Sequence, residues 1–158
     1  MRNSLIYHAP ADIYSIFDAD DEMFEDYLIK TLSLNADAVM TAKINCNENL
    51  KPIQGARIES GGAITFTHSV LQAIGGFYGV RCAADTDFMY RCIDAGFEIF
   101  EIKEPLYYRR RHSGSLTKKS DTGIGSAYRK KVWSMMTEKR NEGIIKIKPT
   151  IIELKKSS

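Results

Sequence analysis

The chain has 158 residues, of which 44% are apolar and 27% are charged, and its formal net charge is +2. These values are typical of a single globular domain. No apolar run reaches the roughly eighteen residues that a membrane-spanning helix needs, and the N-terminus lacks the pattern of a secretory signal. We therefore expect a cytoplasmic protein without a membrane span.

Cysteine content and charge distribution narrow the class of protein further. The three cysteines form neither a CxxC pair nor a zinc-type spacing, which predicts reduced thiols. Residues 1–50 carry nine acidic and three basic side chains, whereas residues 129–158 carry nine basic and three acidic ones. A basic end can bind nucleic acid or an anionic membrane surface, but a solvated helix face and a soluble tail are the commoner explanation. Because no nucleic-acid reading motif is present, we expect no nucleic-acid partner.

In the first half of the chain, strands and helices alternate around an acidic turn. The composition of the first residues predicts a helix. It ends before Pro10, because the residue preceding a proline avoids the helical region. β-Branched and aromatic residues then predict a strand, and apolar residues at helical spacing follow the acidic turn. The predicted elements are a helix over residues 2–9, a strand over 12–17, a helix over 23–34 and a strand over 36–46.

The second half begins with a polar, glycine-containing loop and returns to alternating elements. Gly75 and Gly76 end a short helix, and Gly96 ends a longer one in which Phe88, Cys92 and Ile93 are predicted to face inward. The predicted elements are strands over residues 63–66, 97–102 and 106–111, and helices over 68–74, 84–96 and 120–140. The segment 143–154 is ambiguous between a strand and a tail.

This alternation of strands and helices predicts an α/β sheet protein. We expect a domain over residues 1–140 and a basic C-terminal extension over residues 141–158. The pattern opens with a short helix and without a preceding strand, so the sheet is expected to lack its first strands.

The acidic turn "DADDE" follows the predicted strand over residues 12–17. Side chains at i and i+2 of an extended chain share a face, so Asp18 and Asp20 are expected to converge. Two neighbouring carboxylates repel unless a cation lies between them, and hard oxygen ligands suit Mg²⁺ or Mn²⁺. The alternative is that Asp21 and Glu22 cap the following helix, and both arrangements can hold together.

Two later segments carry further candidate side chains. Asp85 and Asp87 begin a helix after a glycine-rich turn, where a carboxylate can act as a general base or cap the helix. The segment "YYRRRHSGSLTKK" then combines Arg109, Arg110 and Arg111 with His112 and Ser115. Guanidinium groups suit a diphosphate and a neutral imidazole can ligate a metal, although such clusters also occur on charged edge strands.

In this order, the segments resemble the inverting glycosyltransferases of family 2, which have the GT-A fold. The resemblance runs over residues 2–117, from "RNSLIYHAPADIYSIFDADDEMFEDYL" through "GGAITFTHSVLQAIGGF" to "AADTDFMYRCIDAGFEIFEIKEPLYYRRRHSGSLT". It implies a partial GT-A fold, with a mixed sheet flanked by helices, that lacks the N-terminal strands of the nucleotide pocket.

The resemblance also implies roles for these residues. Asp18 and Asp20 would match the family's Asp-x-Asp motif, which holds Mn²⁺ or Mg²⁺ and the donor diphosphate. Asp85 would match the catalytic base that deprotonates the acceptor hydroxyl. His112 would match a histidine of the metal shell. The residues near the donor phosphates would be Arg109, Arg110, Arg111 and Ser115. The residues of the acceptor pocket would be Gly75, Gly76 and Asp87.

Two departures from the family pattern define the competing hypotheses. Ala84 stands where the family commonly has a glutamate, and the family's first half is not represented. The first hypothesis is an inverting transferase that uses a nucleotide diphosphate sugar, such as a UDP-sugar, with a glycan or other hydroxyl acceptor. It would need the missing N-terminal half from another chain, another protomer or an upstream segment. The alternative is an inactive, truncated transferase fold that serves as a structural or interaction module through its exposed sheet edge.

Overall fold

A computed structural model describes residues 2–151 of the chain. Its helices are α1 (Arg2–His8), α2 (Tyr27–Leu32), α3 (His68–Ile74), α4 (Ala84–Asp94) and α5 (Ala127–Asn141). Its strands are β1 (Ile13–Ile16), β2 (Glu22–Met23), β3 (Ala38–Cys46), β4 (Glu59–Thr67) and β5 (Ile99–Arg110). None of the helices within this range has the length and apolar character that a bilayer crossing requires.

The five strands form one mixed sheet in the order β1-β4-β3-β5-β2. β3 and β5 are parallel, and every other pair is antiparallel. The predicted α/β class is therefore confirmed. β1 and β2 occupy the two edges, so the acidic turn that joins them, residues 17–21, spans from one side of the sheet to the other.

Apolar side chains cover both faces of the sheet. On one face, Phe66 of β4 lies 4.7 Å from Phe88 of α4 between ring centroids, and Phe88 stacks on Phe77 at 4.3 Å. On the other face, Tyr27 of α2 and Tyr107 of β5 enclose a smaller cluster. α5 packs through Val132 and Met136 against residues 82–83. The sheet is thus held between two layers.

Two predicted strands are a single strand in the structure. The segments 97–102 and 106–111 are joined into β5, which runs through Pro105. Proline lacks the amide that a strand ladder needs, and the β3–β5 register shifts around the pair Ala42 and Pro105. The irregularity absorbs the proline without ending the strand.

Two helix predictions also need correction. The helix expected over residues 23–34 begins only at Tyr27, because Glu22 and Met23 pair with β5 instead. In α4, Ile93 was expected to face inward, but its side chain is 55% exposed. The buried stripe of that helix includes two charged residues, Asp87 and Arg91, which a hydrophobic pattern does not predict.

The described part of the predicted extension 141–158 lies against the domain. After α5 the chain has no regular element up to residue 151. Ile147 is buried, and its amide donates to the carbonyl of Ile74 at the end of α3. The predicted segment 152–158 lies outside the described residues.

Candidate functional site

The acidic turn separates the two aspartates that were expected to converge. β1 ends at Ile16, and the amide of Asp21 donates to the carbonyl of Asp18 in a tight turn. The alternation of an extended chain therefore does not apply to this segment. Asp18 forms an ion pair with Arg2 of α1 at 2.7 Å, and Asp20 faces the end of β5.

Asp20 contacts His112, which follows β5. Oδ2 of Asp20 lies 3.0 Å from Nε2 of His112. The other ring nitrogen, Nδ1, accepts a hydrogen bond from the amide of Gly114 at 3.1 Å, and the amide of His112 donates to Oγ of Ser115. When Nδ1 accepts, a neutral imidazole carries its proton on Nε2 and donates it to the carboxylate. The structure thus joins one predicted metal ligand from each of two distant segments.

Arg110 fastens the acidic turn to β5. Its amide donates to Oδ1 of Asp21 at 2.9 Å, and its Nε donates to the carbonyl of Asp20 at 2.8 Å. A third bond runs from Nη1 to the carbonyl of Glu48. This guanidinium therefore orders the backbone around Asp20 as well as adding positive charge.

The other two arginines of the cluster are differently placed. Among residues 2–151 the guanidinium of Arg109 forms neither an ion pair nor a hydrogen bond. Nε of Arg111 is buried and has no hydrogen-bond partner among the same residues. The three neighbouring arginines thus differ in what they offer an anionic ligand.

The sequence predicts Asp21 only as a helix cap, yet the pKa of its carboxyl group is raised. Burial is the largest cause and raises its pKa to about 6, and the charges of Asp20 and Asp18 act in the same direction. The hydrogen bond from the Arg110 amide opposes this shift. α2 begins after Asp26, which makes no side-chain capping bond, so Asp21 and Glu22 are not its cap.

Asp85 lies half-buried in the first turn of α4 and does not cap it. The N-cap position is Ala83, whose φ of +63° is in the left-handed region, and no side-chain capping bond is present. Asp85 attracts the ammonium group of Lys43 electrostatically. Ala84 is buried beside it.

Asp87 is buried and supports the fold around the predicted acceptor glycines. Its Oδ2 accepts from Nε of Arg91 at 2.7 Å, and both side chains are almost fully buried. Arg91 also donates to the carbonyls of Ile74 and Gly76. The pair therefore stabilises the turn at Gly75 and Gly76. Because Asp87 is buried, its side chain is not accessible to an acceptor.

Gly75 and Gly76 lie on a hollow of about 990 Å³ between α1, α3 and residues 146–151. Both have positive φ angles, +78° and +94°. A Cβ at Gly75 would collide with the carbonyl oxygen of Ile147, and one at Gly76 would meet Oδ1 of Asn3 at 2.8 Å. The glycines thus allow two segments to approach this turn closely.

Lys43 of β3 is a candidate site residue that the sequence prediction missed. It is only 6% exposed, and its Nζ donates to the carbonyl of Gly61 at 2.7 Å. Burial is the main cause that lowers its pKa, and the charge of Arg109 adds to the effect, while Glu59, Asp85 and Asp21 oppose it. A lysine inside a mostly apolar strand was the available signal.

The structure distributes the site residues over several places. Asp20, His112, Ser115 and Arg110 are joined by direct contacts, and Lys43 links Asp85 electrostatically to Asp21. Asp18 faces α1, while Asp87 and the glycines lie at the ends of α3 and α4. Over residues 2–151, no three His, Cys, Asp or Glu side chains gather as a metal-binding group.

Comparison of the chain with protein-family models and with curated proteins finds no match in either set.

Proposed function

We propose that the chain is the catalytic part of an inverting glycosyltransferase of the GT-A class, which transfers a sugar from a nucleotide diphosphate sugar to a hydroxyl acceptor. The observation that carries the proposal is the contact between Asp20 and His112, which are 92 residues apart in the sequence. The two segments that the reaction needs, a metal-binding aspartate turn and a phosphate-binding basic strand, meet at this contact.

The proposed ligands can be compared with those that a divalent cation prefers. Mg²⁺ is commonly bound through one or two carboxylates together with substrate phosphates, so a complete cage of protein ligands is not required. Asp20 would supply one such carboxylate, and His112 would add an imidazole nitrogen beside it. Asp18 would add a second carboxylate only after leaving Arg2. A cation held there would stabilise negative charge on the departing diphosphate.

The remaining steps fall to the side chains of the chain itself. Asp85, half-buried at the start of α4, would accept the proton of the acceptor hydroxyl. Arg109 would bind the diphosphate, since its guanidinium is not engaged within residues 2–151. Arg110 would hold the turn that carries Asp20. Gly75 and Gly76 would border the acceptor.

A second candidate function is an interaction module built on the same fold. β1 pairs only with β4, so its outer edge has no strand partner among residues 2–151. Ile13 on this edge is 45% exposed, and Leu5 of α1 is 54% exposed. A strand from another chain or protomer would satisfy this edge. In the transferase proposal the same addition completes the nucleotide pocket.

Calorimetric titration with UDP separates these functions. With Mn²⁺ present we expect binding that EDTA abolishes and that Asp20→Asn weakens. Asp85→Asn should bind UDP normally and lose sugar transfer, because the base acts only on the acceptor. Absence of Mn²⁺-dependent UDP binding, in the chain alone and with a partner that completes the sheet, would favour the interaction module.

A further inference from the structure

Two cationic side chains share one face of the sheet near its end. Asn45 of β3 is paired in register with Arg109 of β5. Lys43 precedes Asn45 by two positions, so Lys43, Asn45 and Arg109 lie on the same face. Tyr107, two residues before Arg109, shares this face, and its hydroxyl donates to the carbonyl of Gly61 at 2.6 Å.

Within residues 2–151, neither Lys43 nor Arg109 forms an ion pair. Across residues 2–151, Lys43 donates only to the carbonyl of Gly61 and, at 3.4 Å, to that of Ser60. The carbonyl of Gly61 already accepts from Tyr107, so it does not depend on Lys43 for a hydrogen bond. The hydrogen bond to Gly61 of β4 therefore does not by itself explain why the ammonium group of Lys43 is buried.

The electrostatics of the pair are unfavourable in the absence of a ligand. A buried ammonium loses hydration, and the like charge of Arg109 adds repulsion. Both effects lower the pKa of Lys43, and the carboxylates of Glu59, Asp85 and Asp21 offset them without contacting Nζ directly. An anion bound by Lys43 and Arg109 would replace the lost hydration with charge-assisted hydrogen bonds.

The backbone beside the pair leaves room for such a group. Gly61 and Gly62 have φ angles of +101° and +98°. A Cβ at Gly62 would meet the hydroxyl of Tyr107 at 2.9 Å, whereas no atom of residues 2–151 lies within 4 Å of a Cβ placed at Gly61. Open space therefore borders the residue whose carbonyl accepts from Lys43.

We propose that Lys43 and Arg109 form an anion subsite for a phosphate-type group and that Lys43 is its specificity-determining cation. The subsite needs no metal ion, because Lys43 and Arg109 would themselves supply two positive charges. Its assignment to a substrate phosphate rests on the proposed function, but its affinity for a phosphate-type anion does not.

The test uses inorganic pyrophosphate as the probe, titrated calorimetrically in EDTA so that no metal contributes. We expect the full chain to bind pyrophosphate and Lys43→Met to weaken binding by about tenfold or more, as expected for loss of one charge-assisted contact. Lys43→Arg should retain most of the affinity. Lys131→Met, which removes an exposed lysine on α5, is the matched control and should bind like the parent chain.

A second variant keeps the proposal falsifiable if Lys43→Met does not fold by circular dichroism. Arg109→Gln alters a side chain that forms no hydrogen bond and no ion pair within residues 2–151, and it should weaken pyrophosphate binding to a similar degree. The proposal is overturned if the parent chain does not bind pyrophosphate in EDTA, or if the folded variants bind as tightly as Lys131→Met. Metal-free pyrophosphate binding without Mn²⁺-dependent UDP binding would retain the subsite and refute the transferase.

Discussion

Nε2 of His112 lies 3.0 Å from Oδ2 of Asp20 because the two-residue strand β2 pairs with β5. Glu22 is in register with Tyr108 and Met23 with Tyr107, which brings the preceding turn to the end of β5. Arg110 then bonds to the turn from the same strand end. The contact is thus a product of sheet register.

Asp21 should make stability depend on pH. Its folded pKa of about 6 is above its ordinary value of 3.8, so the stabilising contribution is present below the unfolded pKa and is lost as pH rises through about 6. Asn keeps the acceptor for the Arg110 amide and does not ionise. From about pH 4 to about pH 7 in EDTA, Asp21→Asn should gain about 1–2 kcal/mol over the parent chain, allowing for solvent screening.

Urea unfolding at a series of pH values measures this difference. If the difference in the free energy of unfolding between the two proteins stays constant across this pH range, the carboxyl group of Asp21 titrates normally.

The buried pair of Asp87 and Arg91 should be a major source of stability. Arg91→Met leaves an unpaired buried carboxylate and removes bonds to two carbonyls, so we expect a loss of about 3–5 kcal/mol in urea unfolding. Adding Asp87→Leu should recover part of it, because the unpaired charge is then gone. Arg140→Ala breaks a partly exposed pair with Asp94 and should cost about 1 kcal/mol or less. Equal losses for Arg91→Met and Arg140→Ala would contradict this assignment.

Gly75 should hold residues 144–150 against α3. Gly75 and Gly96 have similar φ angles, +78° and +85°, so alanine is strained to a similar extent at either. Only at Gly75 would the added Cβ collide with Ile147; nothing lies within 4 Å of it at Gly96. Gly96→Ala should cost about 1 kcal/mol, and Gly75→Ala clearly more.

Hydrogen exchange at the Ile147 amide distinguishes the two glycine variants. We expect this amide, which donates to the Ile74 carbonyl, to exchange faster in Gly75→Ala alone. Unchanged exchange in both variants would show that the glycine does not control this contact.

Local signals predicted much of the fold. The helix over residues 68–74 matches α3 because a glycine with positive φ ends it, which is a local property. Elements set by distant pairing were missed. β2 exists only because β5 lies beside it, and β5 crosses Pro105 only because β3 shifts its register there.

The structure brings only some of the predicted site residues together. The sequence predicted Asp20 and His112, and the structure brings them together. It also predicted that Asp18 would join them, which assumed that the strand continued to Asp20; the strand ends at Ile16 instead, and Asp18 turns to Arg2. Lys43 and Arg91 were missed because hydrophobic patterning does not predict buried cations.

Mn²⁺ binding followed by electron paramagnetic resonance tests the central claim most directly. Free Mn²⁺ gives a signal that disappears on binding, so a titration of the chain reports affinity without needing the donor sugar. We expect one site in the presence of UDP, weakened about tenfold or more by Asp20→Asn or His112→Ala, and unchanged by Asp12→Asn. Equal Mn²⁺ affinity in all four proteins, or no binding by any of them, would contradict the account.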